Sequence, residues 1–315
     1  MRKFWLIVRQ AFTEFMNDRA LKFSASLSYY TLFSLGPVLL IIISLAGIFL
    51  GKDAVEGKIY GQIQGLVGSA VALQIQDIIG GIEESRVGRR GAIVGVIFLF
   101  VGATGVFTEM QDSINYIWSI RTKARRGFIK LIFDRLLSFS LIIGFSFVLM
   151  VSLGVHALVD LLYDRLASFF SEVTVIVFQA VNYVILFVVI ATLFAIIFKV
   201  LPDARIRWKD AFAGATFTSV LFMIGKSLIG LYLSNSNVGV TYGAAASVVI
   251  ILIWVYYTSI ILYFGAEFTK VYTMNLGGGI VPKKTAVFII KQEVTELTPS
   301  LEDIAELEDK QKHAE

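Results

Sequence analysis

Side chains able to do covalent chemistry are sparse in this chain. There is no cysteine, which excludes disulfides, thiolate catalysis and cysteine-ligated zinc. The two histidines, His156 and His313, lie far apart and cannot form the histidine-rich ligand set of a metal-activated hydrolase. What remains is a handful of charges and polar groups in or beside long apolar runs. Lys226 is the most central formal charge. Tyr30 and Ser34 recur at i, i+4 just ahead of Gly36-Pro37, and Glu109, Asp112 and Asn115 recur at three-residue spacing. Asp203, Arg205 and Arg207 crowd one short polar connection, and Glu267 with Lys270 closes the last apolar run. Groups of this kind suit ion pairing, solute binding and conformational exchange. No P-loop supplies a nucleotide-driven step, and no enzymatic activity, cofactor or metal is expected.

The elements that must position these groups are membrane spans. The chain is 57% hydrophobic and only 17% charged, with a mean hydropathy of +0.76. A soluble domain carries about 25% charged residues, and here lipid removes the need for that charge. Six stretches are long enough to cross a bilayer: 27–50, 91–111, 136–159, 173–198, 211–232 and 244–267. The expected fold class is all-α: a polytopic membrane protein with six transmembrane helices in 1–275, followed by a cytoplasmic acidic tail over 276–315. In that tail Thr298-Pro299 reads as a helix start, and the remainder as partly helical or disordered.

Basic residues set the orientation. With the N-terminus cytoplasmic, inner segments hold twenty-one Lys/Arg and outer loops six, an asymmetry that places both termini inside. Arg86, Arg89 and Arg90 are the exception, in a long loop where the rule weakens. Within 51–90, Ile59, Ile63 and Leu66, then Val71, Ile75 and Ile78, suggest short amphipathic helices. The N-terminal segment is itself an amphipathic helix, with Phe4, Val8, Ala11, Phe12 and Phe15 opposite Arg9, Thr13 and Asn17. It either lies flat on the membrane or packs on the protein's own loops.

Each polar position has a functional and a plain reading. Pro37 frees a carbonyl at a kink, which either lines a solute path with Tyr30 and Ser34 or serves close helix packing. Lys226 either faces a cavity near Tyr232, beside an anionic headgroup or solute, or snorkels to the interface. Glu109, Asp112 and Asn115 are a cation site or a solvated helix end. Asp203, Arg205, Arg207 and Trp208 anchor the connection to anionic headgroups, or form a gate. Glu267 is about 36 Å into its helix, counted from Gly243 at 1.5 Å per residue. There it marks the inner boundary with Lys270, or pairs with an arginine of 121–135 or 205–209 to close that side.

Four segments resemble the YihY / virulence factor BrkB family of bacterial inner-membrane proteins. They are "SLSYYTLFSLGPVLL", "FTEMQDSINYIW", "LPDARIRWKDAFAGA" and "YGAAASVVIILIWVYYTSIILYFGAEFTKVY". They occur in the family's order across residues 1–275. The resemblance implies a six-helix protein of the bacterial inner membrane, associated with transport, including lipid-related transport, and with virulence. The ribonuclease BN label that accompanies the family does not suit a chain without a histidine cluster. The function expected is therefore transport or flippase-like facilitation of a lipidic, amphipathic or ionic solute. The alternative is a non-transporting membrane scaffold linked to envelope integrity or virulence. Membrane lipids, through anionic headgroups at the cytoplasmic face, are the expected partners, and nucleic acid is not.

Overall fold

The computed structural model describes residues 2–34, 71–76, 105–123, 173–235 and 245–291, with Gly144 and Tyr242. Helix α1 (Arg2–Asn17) turns through Asp18-Arg19 into α2, helical over 20–34, and α3 covers 105–117. Strand β1 (Ile120–Thr122) follows, then the long helix α4 (Val173–Val200) and strand β2 (Ala204–Arg205). Helices α5 (Trp208–Asn235) and α6 (Ala246–Asn275) come next, and the described chain ends with β3 (Val281–Pro282) and β4 (Ala286–Phe288).

Among the described residues, three helices are long and apolar enough to cross a membrane: Ala180–Val200, Trp208–Leu233 and Val248–Asn275. They coincide with the expected fourth, fifth and sixth spans. Of the first two expected spans only 27–34 and 105–111 are described, both helical, and 136–159 lies almost wholly outside the described residues. Helix α4 packs on α5 and α5 on α6, while α1 docks on α6. The largest buried cluster joins α2, α3, α4, α5 and α6 through Leu27, Ile114, Trp118, Phe198, Phe222 and Tyr263.

The α5–α6 contact is close because glycine and threonine are exchanged across it. A Cβ on Gly214 would collide with Thr269, and one on Gly265 would collide with Thr218. Each threonine hydroxyl is satisfied within its own helix, Thr218 donating to Gly214 O and Thr269 to Gly265 O, both at 2.7 Å. Small residues that let two backbones approach are the usual means of helix association in lipid, where burial against tails gives no hydrophobic gain.

Two features of the described residues go beyond the sequence expectation. The described fold is mostly helical, and it carries two short antiparallel pairs, β1 with β4 and β2 with β3. Strands of two or three residues are too short to show an alternating pattern, so nothing local announces them. Beyond 276 the described chain, as far as 291, stays with the body. Gly279, at φ 77, adopts the left-handed conformation after α6. Residues 281–288 then return to the body, where Lys283 N–H donates to Asp203 O and Ile289 N–H to Ser119 O, each at 2.8 Å. Residues 292–315, including Thr298-Pro299, lie outside the described residues.

At the opposite end of α5 and α6, residues 71–76 are helical, and Val71 and Ile75 bury themselves against Ile229, Leu233, Ile251 and Val255. This is one of the short helices expected in the 51–90 loop, docked on the bundle.

Candidate functional site: a charged seam beside a polar cleft

The N-terminal helix docks through aromatic interlocking. Ile7 and Ala11 are buried against Phe268 and Val271, and Phe15 is buried in the main cluster. Phe4 meets Phe217 and Phe268 edge-on at 6.2 and 5.9 Å, and Phe15 meets Phe264 at 5.7 Å. Phe217 and Phe268 stack beneath them at 3.8 Å between centroids. Edge-to-face pairs each add about 0.5–1.5 kcal/mol beyond area burial. The buried face is rotated from the expected one, with Ile7 inside while Phe12 is 58% exposed. Docking on the chain's own α6, rather than on loops, places the last turn of α1 beside the last turns of α6. Arg19, at φ 55, then reverses the chain into α2.

That geometry assembles a charged seam. Lys270 Nζ lies 2.7 Å from Glu14 Oε2, 3.3 Å from Glu267 Oε2 and 3.6 Å from Asp18 Oδ2. One oxygen from each of the three acids falls within 4.8 Å of the others. Lys291, arriving after β4, donates to Asp18 Oδ2 at 2.6 Å and sits 4.2 Å from the centre of the Tyr116 ring. Burial pulls the Lys291 ammonium below the usual lysine range, and Asp18 opposes that pull. Glu267 is fully enclosed, at 0% exposure, and its Oε1 has no hydrogen-bond partner among the described residues.

Next to the seam opens a cleft of about 1060 Å³ whose walls include Asp18, Arg19, Lys22, Glu109, Asp112 and Lys291. A smaller recess of about 640 Å³ adjoins it, sharing Asp112, Tyr116, Ile289 and Ile290 with the larger one. Both signs of charge line the main cleft, a pattern able to hold a zwitterionic or ionic group by complementary contacts.

The connection between α4 and α5 is held by polar side chains. Asp203 is buried; its N–H donates to Asn115 Oδ1 at 2.8 Å, and its Oδ2 accepts from Thr122 Oγ1 at 2.8 Å. Asp210, in the first turn of α5, accepts from Gly278 N–H at 3.0 Å. Lys199 Nζ donates to Ile206 O and lies 5.5 Å from the centre of the Trp208 ring.

The sequence-derived candidates divide accordingly. Glu109 and Asp112 line the cleft with groups from α2, whereas Asn115 turns inward to Asp203. Arg205 and Arg207 are exposed on the connection, and Arg207 lies close enough to Gly278 to meet any Cβ placed there. Glu267 and Lys270 form the expected i, i+3 pair, but their further contacts are acids of α1 and the following turn rather than an arginine of 205–209. Tyr30 is partly exposed, its ring against Gly105, and Ser34 is buried, donating to Thr31 O at 3.0 Å. Lys226 is half-buried and Tyr232 exposed. Pro37 lies outside the described residues. The sequence reading misses Glu14, Asp18 and Lys291. Glu14 and Asp18 are four apart and border the Ala11–Phe15 face, which is a usable signal; nothing local marks Lys291.

Three described helices of membrane length, α5 and α6 packed through glycine–threonine exchange and α6 ending in a charged seam, define an integral membrane protein. Residues 11–287 match the family described as Virulence factor BrkB, and the chain belongs to that family. Among curated relatives, a UPF0761 membrane protein of Vibrio vulnificus (strain YJ016) is 25% identical over 277 residues, covering 83% of this chain and 80% of its own length. A UPF0761 membrane protein of Pseudomonas aeruginosa (strain LESB58) is 29% identical over 259 residues, covering 80% of this chain and 59% of the relative. One from Chromohalobacter salexigens is 27% identical over 275 residues, covering 84% and 63%. No solved structure matches the chain.

Proposed function

We propose that this protein is a transporter or flippase-like facilitator for a lipidic, amphipathic or ionic solute. In this reading it sits in a bacterial inner membrane with both termini cytoplasmic. The observation that carries the reading is the cleft of about 1060 Å³, lined by acidic and basic side chains at one end of an apolar bundle. A charged headgroup held there would leave its apolar portion against the lipid-facing helices. The separation of charge in the sequence favours a cytoplasmic position for this end, where Trp208 and the exposed residues of α1 would meet anionic headgroups.

The test is flux through proteoliposomes of anionic and zwitterionic phospholipid. Fluorescent phospholipids and common ions are expected to cross faster than in empty vesicles. Paired substitution of Lys22→Ala and Asp112→Ala is expected to slow that flux several-fold while the protein stays folded. Crossing no faster than in empty vesicles for every lipid and ion tried would overturn the reading.

A further inference from the structure

We propose that the α1–α6 seam is a binding site for one proton, shared between Asp18 and Glu267. The inference concerns the seam itself and goes beyond the transport reading, on which it does not depend.

Glu14 reaches the seam from α1, Asp18 from the turn, Glu267 and Lys270 from α6, and Lys291 from the segment after β4. Helix α5 contributes Phe217, which carries no charge. Among the described residues, three carboxylates therefore face two ammonium groups, one positive charge short of neutrality, with Glu14 the acid most open to solvent. Arg19 and Lys22 of the adjoining cleft are exposed, where water and salt screen them. Glu109 and Asp112, across the cleft on α3, add only more acid. At 0% exposure Glu267 has no water to offset the deficit, and an uncompensated buried charge is strongly unfavourable.

Geometry then says where the missing charge goes. Glu267 Oε1 is buried and unpartnered among the described residues, and a carboxylate oxygen of Asp18 lies within 4.8 Å of one of Glu267. Two ionised carboxylates this close repel. A single proton lets the pair close into a charge-assisted O–H···O bond, and one member of such a pair then stays protonated. A metal ion is the other way to add positive charge, but its place is taken. The Lys270 ammonium already stands 2.7 to 3.6 Å from all three acids.

The proton comes from bulk water and returns to it, and only an O–H bond forms and breaks. Asp18 belongs both to the cleft wall and to the seam, so it is the relay between solvent and the enclosed Glu267. Loss of the proton leaves excess negative charge between α1 and α6, and this favours their separation. Proton occupancy is thereby linked to whether the N-terminal helix is docked.

The test uses the full chain in phosphatidylcholine vesicles. Infrared difference spectra between neutral and alkaline pH should show a protonated-carboxyl band in wild type that shifts in deuterium oxide. The band should be absent from both Glu267→Gln and Asp18→Asn. A spectrum unchanged by either substitution would overturn the proposal. Thermal unfolding supplies an independent readout. The folded seam holds a proton that the unfolded chain has released, so stability falls as pH rises, by up to about tenfold in the folding equilibrium per pH unit. Wild type should lose melting temperature on the alkaline side, whereas Glu267→Gln, which mimics the protonated acid, should follow a flatter course. Parallel melting curves for the two proteins across that range would also overturn it.

Discussion

Asn115 and Asp203, 88 residues apart, hold one another through two hydrogen bonds: Asp203 N–H donates to Asn115 Oδ1 at 2.8 Å, and Asn115 Nδ2 donates to Asp203 Oδ2 at 3.4 Å. Both residues are buried, so their polar atoms have no water to fall back on. The pair ties the end of α3 to the connection between α4 and α5, and the Lys283–Asp203 backbone bond fastens β3 to the same point. Asn115→Leu keeps the volume but strands the Asp203 N–H, at a cost of about 1–3 kcal/mol for an unsatisfied buried group. Asn115→Asp keeps the acceptor but sets two carboxylates face to face, and is expected to be worse. Melting temperatures of the purified variants should fall in that order. Equal stability of all three proteins would show that the pair is incidental.

The α5–α6 interface offers a test of close approach. Gly265→Ala forces a methyl into Thr218, and overpacking of this kind costs about 1–3 kcal/mol. Thr218→Ala in the same chain removes the obstructing atoms. The double variant should therefore recover part of the loss, and the two changes should be non-additive in a double-mutant cycle. Additive losses would show that the helices already have room.

Lys270 is the cation that three acids share. Lys270→Met leaves Glu14, Asp18 and Glu267 with Lys291 alone, and removing one partner of a buried ionic network costs about 3–5 kcal/mol. The expected sign is detachment of α1, seen as faster tryptic cleavage after Arg19 or Lys22. Lys270→Arg keeps the charge and should cleave more slowly than Lys270→Met. Identical cleavage rates in wild type and Lys270→Met would mean the network does not hold α1 down.

The outward side of α1 makes a separate prediction about lipid. Trp5 is 68% exposed, and Phe12 and Met16 at 58% and 50% continue the same helical side. An apolar side of this kind beside Arg9 suits the headgroup boundary. In vesicles of brominated phospholipid, the Trp5 contribution to fluorescence, taken as wild type minus Trp5→Phe, should be strongly quenched. Quenching no greater than that by a water-soluble quencher would place this side in solvent or against protein.

Much of this was legible in the chain. Uninterrupted apolar runs determine α4, α5 and α6 as membrane-length helices, because a bilayer demands length and hydrophobicity and both are local properties. The 3.6-residue period marks α1 as two-sided, and three-residue spacing pairs Glu267 with Lys270. Counting residues along α6 nevertheless put Glu267 at a boundary with water, whereas the docked α1 encloses it completely. Likewise, Asn115 looked like part of a solvated helix end until Asp203 met it, and 281–288 carries no pattern announcing two strands. Local sequence reports which face of an element is apolar. Which distant element covers that face depends on packing between residues as far apart as Glu14 and Lys270, and only the tertiary structure decides it.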